Sequence, residues 1–337
     1  MNAAGLARRA RALLCAALAV AATALAAGAS AADAPQAPAF SFVAFGDNPY
    51  GPDITVGPAY RHLLGQIDAL KAPFAIHVGD FKGGLDDCSD DEFARQKAHF
   101  QSLATPLVYT PGDNDWFDCW HHGRDPVERL GQLRRMFFPQ AQSLGQQPML
   151  VERQSELMPA HRTVVENLRW QHAGVLFATL HTVGPSNGRN ARSAADQAEL
   201  RVIAAANQAW VEAAFALARE QHLQAIVLAT QGAPISYKGM ARRPYVGAGF
   251  NQLVTRTLLP LVAQAPFPVL LVHGDGHHYA VDQQFVDAQG RPLRNLWRLE
   301  VPGAPQMHAV LVHVAPLSPT PFRFDLVWNP VSPDPRH

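Results

Sequence analysis

The segment Leu107-Val108-Tyr109-Thr110-Pro111-Gly112-Asp113-Asn114-Asp115-Trp116 passes from four residues that read as a buried strand into a Pro-Gly break crowded with acids. A short apolar run closed by turn residues is the sequence form of a parallel strand, and polar groups just past its carboxyl end face the edge where such sheets bind ligands. The same arrangement recurs three times. Phe40–Phe45 precede Gly46-Asp47-Asn48, Phe74–Val78 precede Gly79-Asp80, and Val269–Val272 precede His273-Gly274-Asp275-Gly276-His277. One Gly-Asp pair is ordinary turn chemistry. Four behind four apolar runs, with equal lengths of chain between Asp47, Asp80 and Asp113, point to a common sheet edge.

Outward from these points, strands and helices alternate. Ala59–Leu70 and Glu92–Leu103 have helical periodicity between the first three strands, giving a βαβαβ beginning of an α/β protein. Residues 116–171 are broken by Pro126, Pro139, Pro148 and Pro159 and read as an excursion packed over the sheet. Gly174–Leu180 returns as a strand, Ser193–Arg219 is the longest helix, and Ala225–Ala229, Ala309–Val314 and Phe322–Trp328 read as further strands. No internal repeat or linker divides residues 33–337, which are read as one domain.

Residues 1–32 are of another kind. Arg8, Arg9 and Arg11 precede an apolar run, Leu13–Ala27, and small residues around Ser30 follow, the pattern of a secretory signal peptide and hence of a periplasmic or secreted protein. Cys15 follows Leu14 where a lipid-anchored protein would have a small residue. No other stretch is long and apolar enough to predict stable membrane insertion. Cys88 and Cys119 are the two cysteines beyond the signal and are expected to form a disulfide, the alternative being two buried thiols. Of 337 residues, 28 are Lys or Arg and 28 Asp or Glu. With no basic excess, no nucleic-acid partner is expected.

Four carboxylates at one edge repel one another unless cations neutralise them, so the acids predict a metal site. Their order resembles the calcineurin-like metallophosphoesterase superfamily, whose pattern runs Asp-x-His, Gly-Asp, Gly-Asn-His-Asp/Glu, a lone His after a strand, then Gly-His-x-His. The match extends from Asp47 to His277. The resemblance implies a two-sheet α/β/β/α sandwich and a hydrolase that cleaves phosphomonoesters or phosphodiesters of small substrates through a metal-activated water. It implies two divalent ions, among manganese, magnesium, calcium, zinc and iron. It assigns metal ligation to Asp47, Asp80, Asp113, Asp275 and His277, with Asp80 as the bridging carboxylate. Asn114 and Asp115 fall at the family's catalytic His and the acid that orients it.

Several residues depart from that pattern. Pro49, Asn114 and Gln231, or a neighbour of Gln231, stand where the family has histidines, while Asp113 and Asp275 replace an Asn and a His. Four carboxylates match the charge of two divalent cations and shift the site toward oxygen ligation. Asn114 has no acidic proton, though its amide can bond a phosphate oxygen. Lys82, His121 and His122 are candidates for protonating a leaving group, each also readable as a solvated loop residue. Asn187, Arg189, Asn190 and Arg192 are either an anion-binding loop or the entry to a helix capped by Ser193. His273 reads as a core histidine, and His278 as a flanking one. The second functional reading is a weakly active or inactive protein of this fold that binds a phosphate ligand or a partner.

Overall fold

A computed structural model describes residues 38–238 and 243–333; the expected signal at residues 1–32 lies outside the described residues. The described strands are β1 (Phe40–Phe45), β2 (Ala75–His77), β3 (Leu107–Tyr109), β4 (Glu152–Arg153), β5 (Leu168–His172), β6 (Val175–Leu180), β7 (Ala225–Thr230), β8 (Ile235–Lys238), β9 (Arg243–Val246), β10 (Val269–His273), β11 (Ala280–Asp282), β12 (Leu296–Glu300), β13 (Ala309–Val314) and β14 (Phe322–Val327). The main helices are α1 (Asp53–Ala69), α2 (Asp90–Ser102), α3 (Pro126–Phe137) and α4 (Ala194–Glu220).

Two sheets carry the fold. One has the order β14-β13-β1-β2-β3, with β1, β2 and β3 parallel; the other has the order β11-β12-β10-β7-β6-β5-β4, with β12, β10, β7 and β6 parallel. Strand periodicity decides what each face meets. Along β6, Val175 and Phe177 join the core shared with the first sheet, while Leu176, Ala178 and Leu180 pack with Trp210, Val211 and Phe215 of α4. β7 and β10 divide in the same way, Val227 and Leu270 to one side, Leu228 and Leu271 to the other. Phe177 sits edge-on to Phe42 and Phe74, at 5.3 and 4.9 Å between ring centroids, where the sheets meet. This is the α/β/β/α sandwich. No helix among the described residues is long and apolar enough to cross a membrane.

Two sequence expectations are corrected. Residues 116–171 are not only an excursion: they contain α3, and β4 and β5 extend the second sheet. β5 reads Leu-Arg-Trp-Gln-His, an alternating strand whose polar half hides it among apolar runs. β12, in the interior of the second sheet, went unread because it carries Arg298 and Glu300. Arg298 is buried, yet bonds Asp282, Glu300 (2.9 Å) and the His273 ring (3.1 Å). α1 begins earlier than expected, because Pro58 lies within it. α4 carries the anticipated Ser193 cap as a reciprocal capping box with Asp196.

The halves are tied by a buried polar chain. Trp116 Nε1 donates to His181 Nε2 (2.9 Å), the other ring nitrogen meets Glu166 Oε1 (2.7 Å), and Arg134 clasps Glu166 while also donating to Glu199 (2.7 Å). Burial alone would raise the Glu166 carboxyl, but the Arg134 guanidinium and His181 outweigh it and hold the group at about 2. A carboxyl depressed on folding contributes stability above its unfolded pKa and loses it as pH falls toward the folded one. Glu166→Gln is therefore expected to cost about 3 kcal/mol at neutral pH. In paired thermal melts, the wild-type advantage should shrink progressively below about pH 4.5.

Candidate metal centre

Asp47, Asp80, Asp113 and Asp275 follow β1, β2, β3 and β10, so the parallel strands of both sheets deliver them to one edge. The turns are tight. Asp47, Asp80, Asp275 and His277 all have left-handed backbone conformations, with φ of 51°, 54°, 71° and 60°. Non-glycine residues adopt this region at a cost, and it gathers at sites where surrounding structure over-determines the turn. Glycines give the carboxylates room: a Cβ on Gly112 would run into Asp80 Oδ1, and one on Gly274 into Asp47 Oδ2.

The four loops are hydrogen-bonded to one another through these side chains. Asp47 Oδ1 accepts from Asp275 N (2.9 Å), Asp80 Oδ1 from Asn114 N (3.1 Å), and Asp275 Oδ2 from Ala233 N (2.9 Å). Gln231 donates to Asp80 Oδ2 (2.9 Å) and accepts from Gly184 N (3.1 Å), so it does enter the centre. His277 Nδ1 lies 2.7 Å from the Ala304 carbonyl and donates to it, leaving Nε2 with its lone pair 3.6 Å from Asp47 Oδ1. Asp115 is buried and saturated. It accepts from Asp80 N, Phe81 N, Gly112 N and the Tyr109 hydroxyl, at 2.7–3.0 Å, and so braces the loops rather than facing a ligand.

Electrostatically the cluster is unsatisfied. Burial first, then repulsion from neighbouring carboxylates, pushes Asp80 and Asp113 well above the ordinary range, and Asp47 likewise despite the amide it accepts. Asp275 is raised to about 6, chiefly by burial. Asp47 Oδ2 and Asp113 Oδ1 are buried without any hydrogen-bond partner, the condition in which a polar atom calls for an explanation such as an ion. The charge and the oxygen-rich donor set fit hard divalent cations. The five expected ligands do not, however, stand as a finished coordination sphere: among the described residues no group of three or more His, Cys, Asp or Glu side chains is arranged to hold an ion. The bonds above engage an oxygen of Asp47 and of Asp275, and both of Asp80, with protein donors.

Tyr50 and Asp118 complete the centre and were not singled out in the sequence. The Tyr50 hydroxyl accepts from Asn114 Nδ2 (2.9 Å) and lies 3.2 Å from Asp80 Oδ2 and 3.3 Å from His277 Nε2. It occupies space near the vacated histidine position of Pro49, and only its place three residues after Asp47 hinted at it. Asp118 N donates to Asp113 O (3.0 Å), and its half-buried carboxylate adds to the repulsion on Asp113 and Asp275. Lys82 is fully buried, donating to the Gly83 and Asp86 carbonyls, and is no solvated loop residue. His121 and His122 are exposed on the 3-10 helix Phe117–His122. Asn187 is spent on Val183 N and Gly249 O, and exposed Arg192 stacks on Trp120 at 3.9 Å. His273 is the buried core residue expected, and His278 is exposed.

No protein-family model and no curated protein matches the sequence. Among solved structures, the chain is similar to a dimetal phosphatase from Danio rerio, at 10% identity and a TM-score of 0.52 over 87% of this chain and 99% of that one. It is also similar to the purple acid phosphatase PPD1 from yellow lupin, Lupinus luteus, at 13% identity and a TM-score of 0.50 over 88% of this chain. The likeness spans about half of the lupin chain (52%). At these identities the likeness shows the fold alone, the two-sheet sandwich described above.

Cys88 and Cys119 are bridged, 31 residues apart, joining the loop after β2 to the 3-10 helix after β3. Closing a loop of this length is worth about 3–4 kcal/mol on the chain-entropy model. Cys88→Ser should lower unfolding free energy by about that amount, and titration calorimetry should show weaker manganese binding because both acid-bearing loops are freed. An undiminished affinity would separate the bridge from the centre. Gly274→Ala should leave the melting cooperative but displace the Asp47 carboxylate, with manganese affinity falling at least about tenfold, or roughly 1.4 kcal/mol.

Proposed function

We propose that this chain is an exported phosphoesterase that depends on divalent metal ions and acts on small phosphorylated substrates. The observation that carries the reading is the meeting of four buried or half-buried carboxylates from four strand ends, with Asp47 Oδ2 and Asp113 Oδ1 left without partners. Asp47, Asp80, Asp113, Asp275 and His277 would hold the ions, with Asp80 as the bridging carboxylate, oriented by Asn114, Gln231 and Tyr50. When bound, two divalent ions supply positive charge that draws in phosphoryl oxygens and acidifies the attacking water.

The chain's own residues do the rest. Asp115 fixes the Asp80 and Gly112 turns, so that carboxylates from different loops keep their spacing. The Ala304 carbonyl fixes the His277 tautomer with Nε2 free to ligate. The Asn114 amide keeps one N–H beyond that given to Tyr50 and offers it to a substrate oxygen. Export is supported by the Arg8–Arg11 and Leu13–Ala27 pattern and by a disulfide, which persists in oxidising compartments.

A second reading, a phosphate-binding protein of the same fold without turnover, draws on one observation: the ligating side chains do not stand in a finished coordination arrangement. Metal analysis and assay separate the two. The phosphoesterase should carry two divalent ions per chain and hydrolyse 4-nitrophenyl phosphate, and Asp80→Asn should lose both, activity falling at least about a hundredfold. Full turnover in Asp80→Asn would sink the bridging role. A single tightly held ion with phosphate binding and no turnover would favour the second reading.

A further inference from the structure

We infer that the centre acts on phosphoryl compounds whose leaving group departs as a stable anion, namely phosphoanhydrides and activated aryl phosphates, and discriminates against alkyl phosphomonoesters. This rests on the phosphoesterase reading above.

Asn114 carries amide hydrogens only; one is given to the Tyr50 hydroxyl, and none can be transferred as an acid. Tyr50, accepting from Asn114, directs its own hydrogen toward Asp80 Oδ2 or His277 Nε2. Gln231 donates to Asp80. The His277 proton sits on Nδ1 against the Ala304 carbonyl. Asp115 accepts four hydrogen bonds that turn its oxygens to the loop amides and the Tyr109 hydroxyl, away from a departing group. Lys82 is buried against the Gly83 and Asp86 carbonyls, and His121 is stacked on Trp120 with ring centroids 3.5 Å apart. A departing oxygen beside Asn114 therefore meets the amide N–H that Asn114 does not give to Tyr50, a donor that stabilises an anion without protonating it.

The reaction balances on that basis. Water oxygen forms the new bond to phosphorus, the bond from phosphorus to the leaving oxygen breaks with its electron pair on that oxygen, and the proton lost by water passes to solvent. A phosphate or nitrophenolate leaving group is stable as the anion so formed. An alkoxide is not, and positioned proton donation to such a group contributes about 10²–10⁴ in rate. Outside the proposed ligands, the carboxyl on the Asn114 side is Asp118, whose Oδ2 and Asn114 Oδ1 both flank Gly84. It is the group the experiment must interrogate.

The test compares 4-nitrophenyl phosphate, inorganic pyrophosphate, phenyl phosphate and glycerol 2-phosphate on the manganese-loaded full protein at neutral pH. The first two should turn over, and phenyl phosphate should be slower in kcat/KM by about a hundredfold or more. Glycerol 2-phosphate should inhibit competitively without being cleaved, which reads binding apart from turnover. Asn114→His should accelerate phenyl phosphate more than 4-nitrophenyl phosphate at unchanged metal content. Comparable kcat/KM on all four overturns the inference, and if Asp118→Asn then makes the series steep, the proton belongs to Asp118. No turnover on any of the four, with inorganic phosphate still binding by calorimetry, refutes the phosphoesterase reading itself.

Discussion

Like charge crowded into a low-dielectric rim is the constraint around which the loops of this protein are arranged. Asp47, Asp80 and Asp113 are almost entirely buried, Asp275 lies beside them, Asp275 raises all three, and Asp47 and Asp113 raise Asp80 further. In such surroundings a charge must be paired, hydrogen-bonded or neutralised. The protein does some of this alone: backbone amides of Asp275, Asn114 and Ala233, and the Gln231 amide, each bond one carboxylate oxygen. What it leaves undone, at Asp47 Oδ2 and Asp113 Oδ1, is the part that cations fit.

Holding repelling groups together requires a rigid frame, and the frame comes from both sheets. The Trp116–His181–Glu166–Arg134 chain anchors the Asp113 loop to the end of β6 and to α3 and α4. Arg298 anchors the other side, through His273 at the end of β10 and through Glu300, whose Oε1 receives the His278 amide (3.2 Å). Both buried ionic groups are fully engaged, which matters because a half-satisfied buried network costs more than an apolar core. They place charge where it fixes loop geometry next to the acids.

How much of this was legible depends on whether a residue announces itself by periodicity. The strands feeding the acids did, because β1, β2, β3 and β10 are apolar runs ended by glycine, and the acids followed from them. β5 and β12 did not: their polar residues are buried by partners distant in sequence, Arg298 by Asp282 and His273, and local pattern holds no trace of a long-range partner. The same holds at the site. Asp47, Asp80, Asp113 and Asp275 could be read from spacing, whereas Tyr50 enters the centre because the turn after Asp47 swings it toward Asp80 and His277. Lys82 looked like loop solvent and is buried, its charge set against backbone carbonyls.

The residues in the positions where the resemblance expects histidines share a property: Asn114, Gln231 and the Tyr50 that follows Pro49 are neutral and form hydrogen bonds. Imidazole can be ligand, acid or base; these groups chiefly orient what is already there. Asn114 orients Tyr50, and Gln231 orients Asp80 while receiving Gly184 N. On the proposed reading, ligation would fall to carboxylate oxygen and the single His277 nitrogen, a donor set whose hardness favours ions such as manganese, magnesium or calcium over softer competitors. The exchange of nitrogen for oxygen and the loss of an acidic proton at residue 114 are thus one change seen from two sides. On that reading the site would have more fixed negative charge to draw cations in, and fewer transferable protons for a leaving group.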